Sequence, residues 1–396
     1  MDASYFIAGR LRFKGRIAMV SIAISFLVMI IATSVSSGFR HEIRSGLSQL
    51  SGDVQLVPPT MNILDGESFL EYDASYLQYV RNLEDVEAMV PVVYRAGIVK
   101  KGEDIHGVLI KGVLRGTAGV PDVHDVSDSV SLPVSIPSRL AEISGLAAGD
   151  RMLVYFVGGD DVKARQFNVV SVHETMVETD DRLVVYADLA DMQRVNGWEE
   201  DHVSTVEIHL RDKDEINIME MSSEIGVMLN SYSSDDEPVI AVSSVSRYPQ
   251  LFDWLDLIDF NVLFILILMT TVAGFNMISG LLIMLFENIS TIGLLKALGM
   301  TDKAISKVFL SSSAVLVLKG MAVGNLLALA FCWIQGTTHV LRLDPENYFV
   351  PYVPVNPDPG LIITADVVSF AVIMLLLLIP CIFISKVDPA ETVRVK

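Results

Sequence analysis

The order of hydrophobic and polar positions divides the chain into four long apolar runs and one long mixed stretch. The first run, residues 17–38, holds 22 residues without a charged side chain. As a helix it is long enough to cross about 30 Å of hydrocarbon. A cleaved signal peptide is the alternative, but the run is long for one and ends without a small-residue cleavage motif. The four predicted transmembrane spans are residues 17–38, 257–286, 304–334 and 361–385.

The stretch between the first and second spans has a different pattern. Residues 86–99 and 105–113 alternate in the manner of strands and flank a short polar turn, which predicts a hairpin. Short helical runs separate the other strand signals, among them residues 135–149 and residues 188–195, the latter ended by Asn196 and Gly197. We predict that residues 50–113 and 203–246 form one subdomain and residues 114–202 a second, β-rich one. The fold class is therefore a polytopic α-helical membrane protein with four transmembrane helices and a large α+β extracytoplasmic domain, residues 39–256, inserted between helices 1 and 2.

Charge assigns the two sides of the membrane. Residues 39–259 carry 39 acidic and 17 basic side chains, a net charge of −22, whereas the other 175 residues have a net charge of +3. Basic residues concentrate beside the spans on the cytoplasmic side of a membrane protein. Such residues lie in the N-terminal segment 1–16, in the 287–303 loop and in the 386–396 tail. We therefore predict cytoplasmic termini, an external domain and an external loop at 335–360.

The 287–303 segment carries the most informative local pattern. Apolar residues recur in steps of three after Glu287, and Gly299 follows as a stop signal. Thr301 and Asp302 are suited to cap the next helix. The pattern predicts a short, capped membrane-surface helix. On these residues alone, an ordinary interfacial loop helix is an equal alternative.

Two polar residues stand out inside the predicted spans. Lys319 lies midway through the third span, where an unpaired cation costs several kcal/mol. It predicts a polar cavity lining or a subunit seam, with snorkelling or a shifted span boundary as the alternative. Asn276 lies in the second span beside Gly274 and Gly280, and it predicts a hydrogen bond between helices.

No pattern for catalysis is present in the sequence. It lacks a phosphate-binding G-x-x-x-x-G-K-[ST] loop, G-x-S-x-G and H-E-x-x-H, and its seven histidines have no ligand spacing. Asp253, Asp256 and Asp259 share one helix face, which we interpret as a solvated stalk. Cys332 and Cys381 lie near opposite ends of two spans, so we expect no disulfide within the chain. The strong negative charge argues against nucleic acid.

Several motifs together resemble one membrane protein family. They are A-G-F-N-M-I-S-G-L-L-I-M-L-F-E-N-I-S-T-I-G-L-L-K-A-L-G-M-T-D-K-A-I at 273–305, S-S-G-F-R-H-E-I-R at 36–44, L-A-E-I-S-G-L-A-A-G-D-R-M-L-V at 140–154, N-Y-F-V-P-Y-V-P-V at 347–355 and I-P-C-I-F-I-S-K-V-D-P-A-E-T-V-R-V at 379–395. They occur in order along the whole chain. The chain resembles the lipoprotein-releasing permeases, the LolC/LolE family, within the mechanotransmitting ABC permeases that include MacB and FtsX.

The resemblance implies a function and a set of partners. The chain would be a non-enzymatic permease subunit in the bacterial inner membrane that extracts lipoproteins and hands them to a periplasmic carrier. A separate LolD-like ATPase would bind ATP and Mg, and this chain would hold no cofactor or metal. Its other partners would be a second permease copy or paralogue, a LolA-like carrier, the lipoprotein and membrane lipid. A MacB-like exporter of peptides or drugs and an FtsX-like activator of a periplasmic hydrolase are the alternatives.

The resemblance also implies which residues act, and none of them is catalytic. The ATPase-coupling residues would be Glu287, Ile289, Ile292, Leu295, Lys296, Leu298 and Gly299. The lipoprotein would lie between the first spans of two permeases, and the candidate seam residues are Ile24, Val28, Ile31, Asn276 and Lys319. Some family members carry a long hairpin hook that grips the carrier. Here only residues 158–164 join the corresponding strands, so the sequence does not predict a hook.

Overall fold

The computed structural model describes residues 16–101, 104–117, 119–121, 123, 132–158, 161–174, 183–232, 239–344 and 348–385. The predicted cytoplasmic segments at 1–15 and 386–396 lie outside this part. The described residues group into two compact units. The helical unit contains residues up to His41, Trp254–Arg342 and the chain from Tyr352 onwards. The α/β unit contains Glu42–Asp253 and Leu343–Pro351.

Long apolar helices make up the helical unit. Among the described residues, four helices are long and apolar enough to cross a membrane, in agreement with the predicted number of spans. They are α1 (Arg16–Ser51), α7 (Pro249–Glu287), α9 (Asp302–Thr338) and α10 (Pro359–Leu376), which is followed by α11 (Leu378–Ser385). Between α7 and α9 lies the short helix α8 (Ile289–Ala297). Both α1 and α7 are longer than the apolar runs that predicted them, as expected for helices that continue beyond a membrane.

Small residues bring α1 and α9 close together. A Cβ added at Gly324 would lie 2.5 Å from the carbonyl oxygen of Ala23, and one at Gly320 would lie 2.7 Å from Cγ2 of Ile22. These glycines are four residues apart and therefore lie on one side of α9. Contacts of this kind drive helix association in lipid, where the hydrophobic effect between helices is absent.

Among the described residues, the α/β unit contains eleven strands and five helices. The strands are β1 (Val54–Val57), β2 (Leu70–Glu71), β3 (Val86–Lys101), β4 (Asp104–Val113), β5 (Pro133–Pro137), β6 (Arg151–Gly158), β7 (Asp161–His173), β8 (Leu183–Asp188), β9 (His202–Val203), β10 (Thr205–Leu210) and β11 (Ile240–Ser243). The helices are α2 (Leu77–Arg81), α3 (Ser138–Ser144), α4 (Leu189–Asn196), α5 (Glu215–Tyr232) and α6 (Ser244–Arg247).

One nine-stranded sheet organises this unit. Its strand order is β11-β1-β10-β3-β4-β8-β5-β7-β6, and β3 also pairs with β6 through Ile98 and Val99. The strands from β3 to β6 in this order therefore close into a six-stranded barrel, and the other three extend from it as an open sheet. The long strand β3 belongs to both parts. The described strands β2 and β9 form a separate small sheet.

Each part of the sheet has its own hydrophobic core. The barrel core includes Ile110, Phe156 and Phe167, whereas the open sheet packs its core against α2 and α5. The predicted subdomain boundary between residues 113 and 114 does not coincide with this division, because Val108 and Ile110 of β4 lie in the barrel core. The hairpin that the sequence predicted is present, but its second strand belongs to the barrel.

The local sequence pattern predicted some helix ends correctly and others wrongly. Asp188 caps α4 by accepting a hydrogen bond from the Ala190 amide at 2.8 Å, and Gly197 ends the helix with φ +77°. A helix was also expected from Ser135. The chain there is strand β5 instead, because Val134 and Ser135 pair with Ala187 and Tyr186 of β8. Tertiary pairing thus shortens that helix to α3.

Candidate coupling site

Helix α8 is set off from α7 by a break at Asn288. The backbone of Asn288 leaves the helical region, with φ −108° and ψ 19°. The side-chain amide of Asn288 donates to the carbonyl oxygen of Met284 at 2.8 Å. That bond satisfies one of the carbonyl groups left open at the end of α7. Glu287 is the exposed last residue of α7.

The other end of α8 is closed by a Schellman motif. Gly299 has φ +89°, its amide donates to the carbonyl oxygen of Lys296 at 2.9 Å, and the amide of Met300 donates to that of Leu295 at 3.0 Å. This is the hydrogen-bond pattern that a left-handed residue makes just after a helix. Thr301 then caps α9. The predicted stop and cap are both confirmed.

The apolar residues of α8 are divided between two environments. Ile292 is 1% exposed and packs in the core of the helical unit, with Leu295 partly buried beside it. Leu294 and Leu298 are 55% and 75% exposed. The sequence placed Leu298 on one apolar face with Ile292 and Leu295, and that grouping is wrong. The helix ends at Ala297, so Leu298 lies on its cap and does not continue the helical face.

Lys296 makes a local ion pair. Its Nζ lies 2.9 Å from Oδ1 of Asp302, and its side chain is only 10% exposed. The pair links the last turn of α8 to the first turn of α9. Together with the glycine cap, it fixes the turn between the two helices and leaves Leu294 and Leu298 as the exposed apolar side chains of this segment.

The candidate seam residues occupy different surroundings. Ile24 is 56% exposed, and Val28 and Ile31 are partly exposed on the same side of α1. The side-chain amide of Asn276 donates to Oγ of Ser21, which confirms the predicted hydrogen bond between helices and joins α7 to α1. Lys319 is exposed on α9.

A second polar contact between helices was not predicted from the sequence. The side-chain amide of Asn325 on α9 donates to Oδ2 of Asp366 on α10 at 2.5 Å. A carboxylate within an apolar run was the available signal, since such residues usually face the interior of a bundle and find a partner. The contact links α9 to α10.

The acidic face of α7 binds α1. The Arg40 guanidinium lies 2.8 Å from Oδ1 of Asp256 and 2.5 Å from Oδ2 of Asp259, and Phe39 contacts Trp254 edge to face with a ring-centroid distance of 5.5 Å. The prediction of a solvated stalk face on this helix agrees with the exposure of the Asp256 and Asp259 carboxylates. It missed their partner, because Arg40 is more than 200 positions away in the chain.

The loop before α10 is held against α1. The amide of Asn356 donates to the carbonyl oxygen of Ser34 at 2.9 Å. Buried Gln335 donates to the carbonyl oxygens of Leu341 and Val353 at 3.2 and 3.1 Å. A Cβ at Gly38 would lie 2.5 Å from the carbonyl oxygen of Pro354, so only glycine allows this approach.

Two other predictions about site chemistry can be compared with the structure. Cys332 and Cys381 are both free thiols, as expected. The histidines show no metal-ligand spacing in the sequence, but Glu199, Asp201 and His202 bring their ligand atoms within 4.8 Å of one another. The His202 ring also stacks on Phe69 at a centroid distance of 3.8 Å.

Comparison with known families finds a match for the C-terminal part of the chain. Residues 263–389 match the family described as FtsX-like permease C-terminal. The matched region begins within α7 and contains α8 and α9.

Relatives resemble nearly the whole chain. It is 22% identical to the lipoprotein-releasing system transmembrane protein LolC of Neisseria meningitidis serogroup B, over 98% of this chain and 95% of that protein. It is 22% identical to LolE of Haemophilus influenzae, over 95% of this chain and 93% of that protein. The periplasmic region of MacB from Actinobacillus actinomycetemcomitans matches at 13% identity and a TM-score of 0.32, over 50% of this chain and 91% of that structure. The resemblance to LolC/LolE permeases that the motifs indicated is confirmed.

Proposed function

We propose that this chain is the permease subunit of an ATP-driven complex that extracts lipoproteins from the outer leaflet of the bacterial inner membrane. The observation that carries the proposal is the resemblance to LolC and LolE, which covers at least 95% of this chain. The large domain would lie in the periplasm and both termini in the cytoplasm. A separate ATPase would bind ATP and Mg, and the extracted lipoprotein would pass to a periplasmic carrier.

In this proposal α8 is the coupling helix. Ile292 and Leu295 anchor it in the helical core, and the Lys296–Asp302 pair and Gly299 fix the turn that follows. A movement imposed on the exposed Leu294 and Leu298 would therefore pass to α7 and α9. Exposed leucines beside a rigid turn suit insertion into an apolar groove of the ATPase, since buried apolar anchors supply most of the energy of such interfaces.

Helix α1 offers a surface for the substrate. Ile17, Val20 and Ile24 are 88%, 52% and 56% exposed, and partly exposed Val28 and Ile31 continue the same side of the helix. In a dimer of permeases this face would contact the acyl chains of the lipoprotein. Asn276 then has a structural role in holding α7 to α1 and no direct contact with substrate.

We do not assign carrier binding to the β6–β7 hairpin. The paired strands reach Gly158 and Asp161, so only two residues separate them. A projecting hook needs a longer connection, and contact with the carrier would have to use another surface of the domain.

Depletion of the protein in living bacteria tests the substrate. We expect lipoproteins to accumulate in the inner membrane, as measured by separating the two membranes and detecting a marker lipoprotein. Normal delivery to the outer membrane would overturn the proposal. Hypersensitivity to one exported compound with normal lipoprotein sorting would instead identify an exporter, and a defect in cell separation alone would identify a regulator of a hydrolase.

The contact with the ATPase is tested by Leu298→Asp. We expect this variant to insert normally and to lose most of the ATPase from the complex purified through the permease, because a charge cannot occupy an apolar groove without a large desolvation cost. Leu341→Asp is the matched control, since Leu341 is an exposed leucine (45%) in the loop between α9 and α10. Full recovery of the ATPase with the Leu298 variant would show that α8 is not the contact. Leu295→Asp is a poorer probe because Leu295 packs in the core of its own chain.

A further inference from the structure

The last turn of α1 is capped by a lysine from a distant strand. The Nζ of Lys111, on β4, donates to the carbonyl oxygen of Leu50 at 2.7 Å and contacts that of Gln49 at 3.3 Å. Carbonyl groups at a helix C-terminus have no partner within the helix, and the helix dipole favours a cation there. The last turn of α1 contains no basic residue of its own.

The same ammonium group forms a buried ion pair. It lies 2.9 Å from Oε2 of Glu207 on β10, and the two side chains are 1% and 2% exposed. The hydroxyl of Tyr94, on β3, donates to Oε1 of Glu207 at 2.6 Å and lies 2.9 Å from the carbonyl oxygen of Leu50. Burial, followed by the Glu207 charge, raises the pKa of Tyr94 well above its usual value, so the phenol keeps its proton.

The three strands that supply these groups connect different parts of the domain. Lys111 lies on β4, a barrel strand, whereas Glu207 lies on β10 of the open sheet, and Tyr94 is on β3, the strand common to both. The end of α1 is therefore bonded to both parts of the sheet through one set of charged hydrogen bonds.

Stability alone does not require charges at this position. Well-packed apolar side chains of similar volume can replace a buried ion pair with little loss of stability. An apolar contact lets a helix rotate or slide by small amounts, whereas hydrogen bonds to charged groups hold it in one position because their loss leaves a buried charge unpaired.

From this geometry we infer that Lys111 and Glu207 form a rigid joint that transmits movement of α1 to both parts of the α/β domain. Lys111 is a positioning residue, and it touches no substrate. The inference rests on the proposed function, with the movement of α7 and α9 reaching α1 through the Asn276–Ser21 hydrogen bond and the close packing at Gly320 and Gly324.

The test uses the full chain, reconstituted into vesicles with its ATPase, its second permease subunit and an acylated lipoprotein. The variant Lys111→Met/Glu207→Leu removes both charges together. We expect a melting temperature close to that of the natural protein, unchanged ATP hydrolysis, and release of lipoprotein to the carrier reduced by roughly tenfold. Slower lipoprotein release at an unchanged melting temperature would show that the pair transmits movement. A contact that only stabilises the fold would lower the melting temperature instead.

Two further variants make the result unambiguous. Tyr94→Phe removes only one hydroxyl, and we expect it to fold normally and reduce release less than the double variant does. Arg194→Met/Asp191→Leu removes an ion pair whose two residues both lie on α4, so it should release normally.

The possible outcomes distinguish the joint from the proposed function. Natural release rates in both the double variant and Tyr94→Phe would overturn the joint. If the double variant fails to fold, release by Tyr94→Phe tests the joint alone: reduced release supports it and a natural release rate overturns it. Absence of release by the natural protein would refute the proposed function itself.

Discussion

Two ion pairs beside helix α1 differ in their exposure to water. At Arg40 the guanidinium is 21% exposed, and its partners Asp256 and Asp259 are 68% and 45% exposed. At the end of the helix, Lys111 and Glu207 are almost wholly buried. The first contact lies within the helical unit and the second within the α/β unit. Similar charged groups therefore contribute differently to the stability of the two units, because one set is in contact with water and the other is buried.

The physical reason is the cost of removing charges from water. An exposed ion pair contributes about 0–1 kcal/mol, because water and salt compete with it. A buried pair is itself close to neutral for stability, but removal of one partner leaves an uncompensated charge and costs about 3–5 kcal/mol. The Arg40 contact can therefore open and close at little cost, whereas the Lys111 contact cannot.

The largest effect is expected for Glu207→Ala. This change leaves the Lys111 ammonium buried without a counter-charge and removes one of the two acceptors within reach of the Tyr94 hydroxyl. We expect a loss of about 3–5 kcal/mol in the free energy of unfolding. Thermal unfolding of the purified full chain in detergent measures it. The comparison fails if Lys111→Met/Glu207→Leu is as unstable as the single variant, because the loss would then come from packing and not from an unpaired charge.

An intermediate effect, visible only in acid, is expected for His173. Its Nδ1 lies 2.9 Å from Oγ of Ser135, its Nε2 is buried without a partner among the described residues, and burial lowers its pKa to about 4. Between pH 6.5 and 4 the unfolded chain binds a proton that the folded chain does not. The contribution of His173 to stability is therefore fully present above pH 6.5. It is lost as the pH falls from 6.5 to 4, which lowers the free energy of unfolding by up to roughly 3 kcal/mol.

The variant His173→Gln measures this contribution. It keeps a polar side chain near Ser135 but cannot titrate, so its melting temperature should depend less on pH between 6.5 and 4. Burial also lowers the pKa of His209, which leaves part of the acid sensitivity in place. Identical pH profiles of the variant and the natural protein would show that His173 is not the group responsible.

The smallest effect is expected for Asp256→Asn. Arg40 keeps its contact with Asp259, and the lost pair is exposed. We expect a change of less than about 1 kcal/mol that shrinks further as salt is added. Unfolding measured at low and high ionic strength checks this. A loss comparable to that of Glu207→Ala would mean that exposure does not distinguish the two contacts.

Much of the local structure was predictable from the sequence. The four long apolar helices, the β3–β4 hairpin, the cap of α4 and the glycine stop after α8 follow from apolar runs, alternation and residues with particular backbone preferences. These signals act over a few residues and need no partner from elsewhere. The prediction failed at Ser135, where pairing with β8 overrides a local helical pattern, and at Leu298, where the helix ends before its face is complete.

The residues that connect elements were not predictable in the same way. Lys111 is one basic residue in an alternating strand, and nothing near it in sequence indicates burial beside Glu207, 96 positions away. Arg40 likewise gives no sign of its partners on α7. Charged residues are usually exposed, so pattern analysis assigns them to the surface unless the partner is known.

The sequence by itself therefore determined which segments are apolar helices, that a long acidic stretch with strand and helix patterns lies between the first two of them, and that a capped helix lies between the second and third. Periodicity, charge and backbone preference are local properties and are written directly in the chain. The tertiary structure decided that β3 closes a barrel with β6, that α8 exposes Leu294 and Leu298, and that Lys111 caps α1. Each of these depends on contacts between residues far apart in sequence, whose energy comes from the burial and pairing of groups that only the folded chain brings together.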